Sequence, residues 1–207
     1  MENKTGNYKG KRLAPEEREV PKSRGRRFWS EYGYLIVTVI VVVLVFRVFL
    51  QLAWVPSGSM ETTIPQKSLI ISWQLPYLVG DPEPQRGDIV TFWDEELGRL
   101  LVKRVIGLPG ETVRFKGGYV YVNDERLTES YLDQQGVTNS PNQSTFQVPE
   151  GSLLMLGDNR TDSLDSRYWE NPYIPFGSVR AKALVNIPVT SWRKIPLPDF
   201  KGIHSVA

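Results

Sequence analysis

The stretch Pro56-Ser57-Gly58-Ser59-Met60 separates two parts of the chain with different patterns. One long apolar run precedes it, whereas apolar and polar residues alternate after it between frequent glycines and prolines. This change predicts a helical segment followed by a mainly β domain. The stretch also carries two serine hydroxyls on either side of a glycine, so it is a candidate site for nucleophilic chemistry.

The apolar run before this stretch is long enough to cross a membrane. Residues 34–46 (YLIVTVIVVVLVF) are thirteen residues without a charge, and the run continues past Arg47 to Trp54. A helix from Tyr34 to Trp54 would rise roughly 30 Å, the thickness of a bilayer core. Aromatic residues flank it as in interfacial belts. We therefore predict a transmembrane anchor over residues 28–55; the alternatives are a buried core segment and a cleaved signal peptide.

The N-terminal tail is basic. Residues 1–27 hold nine Lys and Arg against four Asp and Glu, a net charge of +5, and lack apolar periodicity. Such a composition predicts disorder. By the positive-inside rule the tail is cytoplasmic and residues 56–207 form an exported domain.

The exported domain is predicted to be antiparallel β structure, a sandwich or barrel-like fold. Lys116-Gly117-Gly118 predicts a tight hairpin turn, and Asn123-Asp124 the turn after it. Residues 128–147, rich in Ser, Thr, Asn and Gln, are interpreted as a mobile excursion. The predicted strands are Ser68–Trp73, Asp88–Trp93, Leu100–Ile106, Thr112–Phe115, Tyr119–Val122, Ser152–Leu156 and Val179–Ile187.

Composition restricts the groups that could activate a serine. The chain has no cysteine, and its single histidine, His204, is close to the C-terminus. Thiolate chemistry is thus excluded, and a His-based triad or metal site is disfavoured. The remaining proton acceptors are carboxylates, the N-terminal amine and a lysine kept neutral by burial.

Lys103 is the lysine of interest. On a strand it shares a face with Leu101 and Val105, so its amine could lie against apolar surface. Lowering a lysine pKa from about 10.4 to about 7–8 requires roughly 3–5 kcal/mol of differential desolvation. The alternative is a surface lysine beside Arg104.

A third stretch, residues 157–167 (GDNRTDSLDSR), follows an apolar strand and is dense in hydrogen-bonding groups. A calcium loop is one alternative, but the glycine and terminal glutamate of an EF-hand pattern are missing. A polar turn without a function is the other. Asp88, in residues 86–90 (RGDIV), is interpreted as a turn residue.

Four motifs in this order together resemble a known family. They are P-S-G-S-M after a membrane span, R-G-D-I-V, K-R-V-I-G-L-P-G-E at residues 103–111, and G-D-N-R followed by S-x-D-S-R. The chain resembles the type I signal peptidases over residues 34–187. These are membrane-bound Ser/Lys proteases that remove signal peptides from exported precursors.

The resemblance implies roles for individual residues. Ser59 would be the nucleophile and Lys103 the neutral general base. The Ser57 hydroxyl and the Ser59 backbone N–H would form the oxyanion hole, Ser163 would hold the Lys103 amine, and Asp165 would pair with Arg167. Shallow pockets for small, Ala-x-Ala type side chains would be lined by Val55, Pro56, Met60, Ile64, Leu101 and Val102.

The resemblance also has limits. Thr161 and Asp162 stand where the family commonly has Asp and Asn types, so no role is assigned to them. The short segment after Lys103 predicts that the second β-subdomain, about residues 109–150, is reduced to a hairpin and loop. The predicted architecture is therefore mainly β: an antiparallel catalytic domain with a small hairpin subdomain, preceded by one transmembrane helix.

The expected partners are preprotein signal peptides and a lipid bilayer, with the export translocon nearby and no nucleic acid. No cofactor or metal is expected. The host would be a bacterial cell membrane or a thylakoid membrane. A membrane-tethered β-domain that binds peptides without cutting them is the alternative. A self-cleaving Ser/Lys regulator is disfavoured by the anchor and by the lack of a DNA-binding segment.

Overall fold

The computed structural model describes residues 24–80, 83–189 and 204–205. Its first element is helix α1, Arg24–Phe49. Within it, Phe28–Phe49 is long and apolar enough to cross a membrane, with a mean hydropathy of 2.4. Of the tail predicted to be disordered, residues 1–23 lie outside the described residues, whereas residues 24–27 are helical.

The predicted anchor ends too late in the sequence. The structure ends the helix at Phe49 and places residues 50–55 in strand β1. This strand pairs along its whole length with Ser68–Trp73, from Leu50 opposite Trp73 to Val55 opposite Ser68. Ala53 and Val55 are buried while Leu52 and Trp54 are exposed, which is the two-residue period of a strand. A pairing partner elsewhere in the sequence therefore decides the structure of this apolar segment.

The remaining elements are mostly short antiparallel strands, as predicted. Seven predicted strands are present, each within a residue or so of its predicted bounds at either end. In chain order the elements are β1 (Leu50–Val55), β2 (Ser68–Trp73), α2 (Leu75–Val79), β3 (Ile89–Asp94), β4 (Arg99–Gly107), β5 (Thr112–Lys116), β6 (Tyr119–Val122), β7 (Glu125–Arg126), β8 (Thr145–Gln147), β9 (Ser152–Leu156), β10 (Tyr173–Pro175), a 3₁₀ turn (Phe176–Ser178), β11 (Val179–Pro188) and β12 (His204–Ser205).

The strands form two sheets. The larger sheet runs β1-β2-β11-β3-β4-β9-β10, with β12 also paired to β11, and its ladders are antiparallel. The smaller sheet runs β7-β6-β5-β8. The second subdomain is thus a four-stranded sheet, larger than the hairpin and loop that were predicted.

Two turns of the smaller sheet agree with the prediction. Gly117 and Gly118 both have positive φ between β5 and β6, and Asn123 and Asp124 both have positive φ between β6 and β7. Pairs of residues with positive φ are typical of the two-residue turns that match strand twist.

The excursion at 128–147 is packed rather than free. Glu129, Leu132 and Thr138 are buried, and residues 145–147 form β8. Its backbone closes on the β5–β6 turn, because the Thr138 N–H donates to the Gly118 carbonyl at 2.8 Å. The segment is therefore attached to the fold at these points, and its mobility stays a prediction.

Candidate active site

The loop between β1 and β2 holds the two serines. Met60 and Ile64 are fully buried, and the Ile64 N–H donates to the Met60 carbonyl at 2.8 Å. Burial of these two side chains fixes the loop on the core while Ser57 stays exposed and Ser59 partly exposed. The hydroxyls of Ser57 and Ser59 are 3.5 Å apart.

Lys103 lies in the middle of β4 and is only 3% exposed. The interpretation of Lys103 as a surface lysine was therefore wrong. Its Nζ donates to Ser163 Oγ at 3.0 Å. Burial lowers the pKa of Lys103 from 10.5 to about 8, although the Asp165 carboxylate acts in the opposite direction. With this pKa, about a tenth of the amine is unprotonated at pH 7 and about half at pH 8.

The loop after β9 connects the serine loop to Ser163. The Asn159 N–H donates to the Ser59 carbonyl at 3.1 Å, and Asn159 Nδ2 donates to the Gly58 carbonyl at 3.0 Å. At Gly157 a Cβ would lie 2.1 Å from Ser163 Oγ and 2.4 Å from the Ser59 carbonyl oxygen. A side chain at Gly157 would therefore displace both Ser59 and Ser163.

Asp165 and Arg167 form a fully buried ion pair. Arg167 Nε and Nη2 donate to the two carboxylate oxygens at 2.8 and 2.9 Å. The Gly157 N–H also donates to Asp165 Oδ2 at 2.9 Å. The pair therefore fixes the backbone beside Ser163, in the geometry that two-point Arg–carboxylate contacts favour.

Sequence reasoning missed a second buried ion pair. Arg104 Nε and Nη2 donate to the carboxylate of Asp158 at 2.8 and 2.7 Å, and Thr63 Oγ1 donates to Asp158 Oδ2 at 2.5 Å. Arg104 follows Lys103 on β4, so their side chains leave opposite faces of the strand. The available signal was two adjacent basic residues inside an apolar strand, because one of them must point to each face of the sheet.

Ser57, Ser59 and Lys103 line one cavity of about 320 Å³. Five of the six predicted pocket residues line it, namely Val55, Pro56, Met60, Leu101 and Val102. Ile64 is not among the lining residues; it packs with Val55 and Met60 in the core. Residues without a predicted role also line the cavity: Trp54, Arg99, Leu100, Asp162 and Leu164.

The cavity is lined by two serine hydroxyls and one weakly basic amine, groups that are suited to acyl transfer. Among the described residues, no group of three His, Cys, Asp or Glu side chains could hold a metal ion.

Comparison with known proteins identifies the family. The family model described as "Signal peptidase, peptidase S26" matches residues 29–191. A probable signal peptidase I-2 of Synechocystis is 35% identical over 164 residues, covering 76% of this chain and 72% of the relative. Signal peptidase I of Pseudomonas aeruginosa is 30% identical over 238 residues, covering 95% and 84%. A crystal structure of a signal peptidase I from Enterococcus faecalis is 36% identical, with a TM-score of 0.41, and covers 49% of this chain and 97% of that chain.

The matching family model and the relatives from Synechocystis and Pseudomonas aeruginosa define a serine peptidase, and the described residues include an N-terminal apolar helix. The chain belongs to the signal peptidase family, peptidase S26, and is of the signal peptidase I type. The reaction of this family is the removal of signal peptides from preproteins.

Proposed function

We propose that this protein cleaves signal peptides with Ser59 as the nucleophile and Lys103 as a neutral general base. The observation that carries the proposal is the burial of Lys103 in the cavity that Ser59 also lines. Lys103 is 3% exposed, its amine donates to Ser163, and it lines the same cavity as Ser59. A lysine that is partly neutral near pH 8 has a proton affinity suited to a base in this pH range.

The proposed reaction has two halves. Lys103 Nζ takes the Ser59 proton as Oγ bonds to the scissile carbonyl carbon, giving a tetrahedral oxyanion. When the C–N bond breaks, the Lys103 ammonium returns the proton to the departing amine of the mature protein. The same amine then deprotonates a water that attacks the acyl carbon. The ester bond to Ser59 breaks, the Lys103 ammonium returns the proton to Ser59 Oγ, and the signal peptide leaves with a free carboxyl group.

Ser57 is proposed to stabilise the oxyanion together with the Ser59 backbone N–H. The 3.5 Å between the two hydroxyls supports this role, because one small group bound at Ser59 could meet both. Ser163 orients the amine, and the buried Asp165–Arg167 pair holds the backbone beside it.

The cavity is proposed to select small residues at P1 and P3, of the Ala-x-Ala type. Its walls are mainly apolar and are built from four segments: the end of β1, the serine loop, β4 and the loop after β9. Fully buried Met60 forms part of the wall, and Ile64 supports it from the core.

The apolar helix is proposed to anchor the protein with its N-terminus in the cytoplasm and its catalytic domain on the outer or lumenal face. Ser59 follows the helix end at Phe49 by ten residues (59 − 49), which supports cleavage close to the bilayer. A bacterial cell membrane or a thylakoid membrane, near the export translocon, would supply the precursors.

Cleavage of a preprotein by detergent-solubilised full-length variants tests the mechanism. Ser59→Ala and Lys103→Met should each lower kcat/KM by about 10³-fold or more, whereas Ser57→Ala should cost about 10–10³-fold. The kcat/KM of the wild type should rise with pH through about 8, because the neutral amine is the active form. Normal cleavage of the preprotein by Ser59→Ala would exclude this mechanism. If the wild type bound the preprotein without cleaving it, the protein would instead be a membrane-tethered domain that binds peptides.

A further inference from the structure

The guanidinium of Arg160 joins the candidate active site to a distant segment. Its Nε donates to the Gly157 carbonyl at 3.0 Å. Its Nη1 donates to Thr138 Oγ1 at 3.0 Å, and its Nη2 donates to Glu129 Oε1 at 2.6 Å. Arg160 itself is 3% exposed, so these contacts replace the solvation of its charge.

The distant segment, residues 129–139, is here called the brace. Glu129 and Thr138 are 4% and 2% exposed. The Tyr131 hydroxyl donates to Glu129 Oε1 at 2.8 Å, and its ring centre lies 3.9 Å from the Arg104 guanidinium. Burial raises the pKa of the Tyr131 phenol above its ordinary range, and the Glu129 carboxylate raises it further, so the phenol keeps the proton that it donates.

A second contact connects the brace to the site. Arg167 Nη1 donates to the Asn139 carbonyl at 3.0 Å and to the Arg160 carbonyl at 2.9 Å. The brace therefore contacts both arginines that hold the loop after β9. That loop has little freedom of its own, because Gly157 is packed against the Ser59 carbonyl and the Ser163 hydroxyl.

We infer that Glu129 and Thr138 are positioning residues for the peptidase reaction. They hold Arg160, Arg160 holds the Gly157 carbonyl, and Gly157 sets the separation of Ser59 from Ser163. Because Ser163 in turn holds the Lys103 amine, a small shift at Gly157 moves the base relative to the nucleophile. The inference rests on the proposed roles of Ser59 and Lys103.

The burial of Arg160 makes the loss of its carboxylate partner costly. Removing the Glu129 charge leaves the Arg160 cation buried without its carboxylate, a state that a protein relieves by moving the side chain or admitting water. Either response displaces the Gly157 carbonyl. A displacement of about 1 Å in a catalytic constellation can lower a rate by about 10²-fold.

The test compares three full-length variants in detergent with a preprotein substrate. Glu129→Gln keeps the shape of the side chain and removes its charge, and Thr138→Val removes the oxygen that accepts from Arg160. Asp124→Asn is the matched control, because it breaks the exposed Arg114–Asp124 ion pair of the same subdomain. Kinetic constants are measured well below each melting temperature.

We expect Glu129→Gln to lower kcat about tenfold or more, with KM changed less than about twofold. The pH midpoint of kcat/KM should move upward, because water admitted near Lys103 favours the ammonium. Thr138→Val should lower kcat in the same direction, and the two effects should be less than additive because both act through Arg160. Asp124→Asn should match the wild type.

A lower melting temperature with kcat and pH midpoint unchanged would make Glu129 purely structural and overturn the inference. If Glu129→Gln does not fold, the test rests on Thr138→Val. An unchanged kcat in Thr138→Val would then overturn the inference. Retained activity in Ser59→Ala would instead refute the proposed function, so the two failures are distinguishable.

Discussion

The burial of Lys103 is costly for the folded protein. Its pKa falls from 10.5 to about 8, and each pKa unit corresponds to about 1.4 kcal/mol. The folded state therefore loses about 3 kcal/mol of stability at pH values below 8, where Lys103 is protonated in both the folded and the unfolded chain. Between pH 8 and 10.5 the unfolded chain binds more protons, so stability rises with pH across this window.

Replacing Lys103 with methionine should remove this pH dependence. We expect the free energy of unfolding of Lys103→Met, relative to wild type, to be highest below pH 8. That difference should then decline by about 3 kcal/mol as pH rises to 10.5. Loss of the hydrogen bond to Ser163 adds an offset that does not depend on pH in this range. Melting of both proteins in detergent at a series of pH values measures the difference.

Lys116→Met controls for the loss of one positive charge, because the Lys116 side chain is exposed. A difference between Lys103→Met and wild type that stays flat with pH would show that the Lys103 pKa is not lowered.

Single residues were predictable where local pattern carries the information. The alternation around Lys103 allowed an amine against apolar surface, but a surface lysine stayed open until the structure showed the residue to be 3% exposed. Glu129 had no such signal, because it stands in a polar stretch and becomes buried only when Arg160, thirty-one residues later, meets it. A long-range contact of this kind is invisible to local periodicity.

Among the secondary-structure elements, strands with a clear local pattern were predicted, whereas strands that depend on a distant pairing partner were not. Strands bounded by turn residues were predicted closely, such as β6 between Gly118 and Asn123 and β9 between Gly151 and Gly157. β1 was assigned to the helix because its composition is as apolar as the preceding run, and only its pairing with β2 separates the two. β8 was missed because three residues carry little periodicity.

The β5–β6 turn offers a prediction about the smaller sheet. Gly118 has φ of 83° and a Cβ there would lie 2.0 Å from the Gly136 carbonyl oxygen, which is backbone of the brace. Gly118→Ala should therefore lower the free energy of unfolding by about 2 kcal/mol or more, combining backbone strain with displacement of the brace.

Gly117→Asn is the matched control for this variant. Gly117 also has positive φ, at 59°, but a Cβ there would meet nothing within 4 Å. Asparagine tolerates this conformation, so its cost should be well under about 1 kcal/mol. Equal melting temperatures for Gly118→Ala and Gly117→Asn would contradict the role given to the close approach.

At the scale of the whole molecule, the proposed orientation across the membrane is testable because the chain has no cysteine. Asn7→Cys places one thiol in the basic tail, and Lys116→Cys places one on an exposed position of β5. In intact bacterial cells that express these proteins, a membrane-impermeant maleimide should label Lys116→Cys and not Asn7→Cys.

Disrupted cells, in which both thiols should react, provide the control for that labelling. Labelling of Asn7→Cys in intact cells, with Lys116→Cys protected, would mean that the catalytic domain faces the cytoplasm.

The lowered pKa of the Lys103 amine has a consequence for chemical probes. At pH 7 about a tenth of an amine with a pKa near 8 is unprotonated, against about three in ten thousand for one near 10.5. A small acylating or carbamoylating reagent that enters the cavity therefore finds in Lys103 a reactive amine that surface lysines do not offer. A reactive group of this kind, attached to a short apolar peptide, would modify Lys103 rather than Ser59.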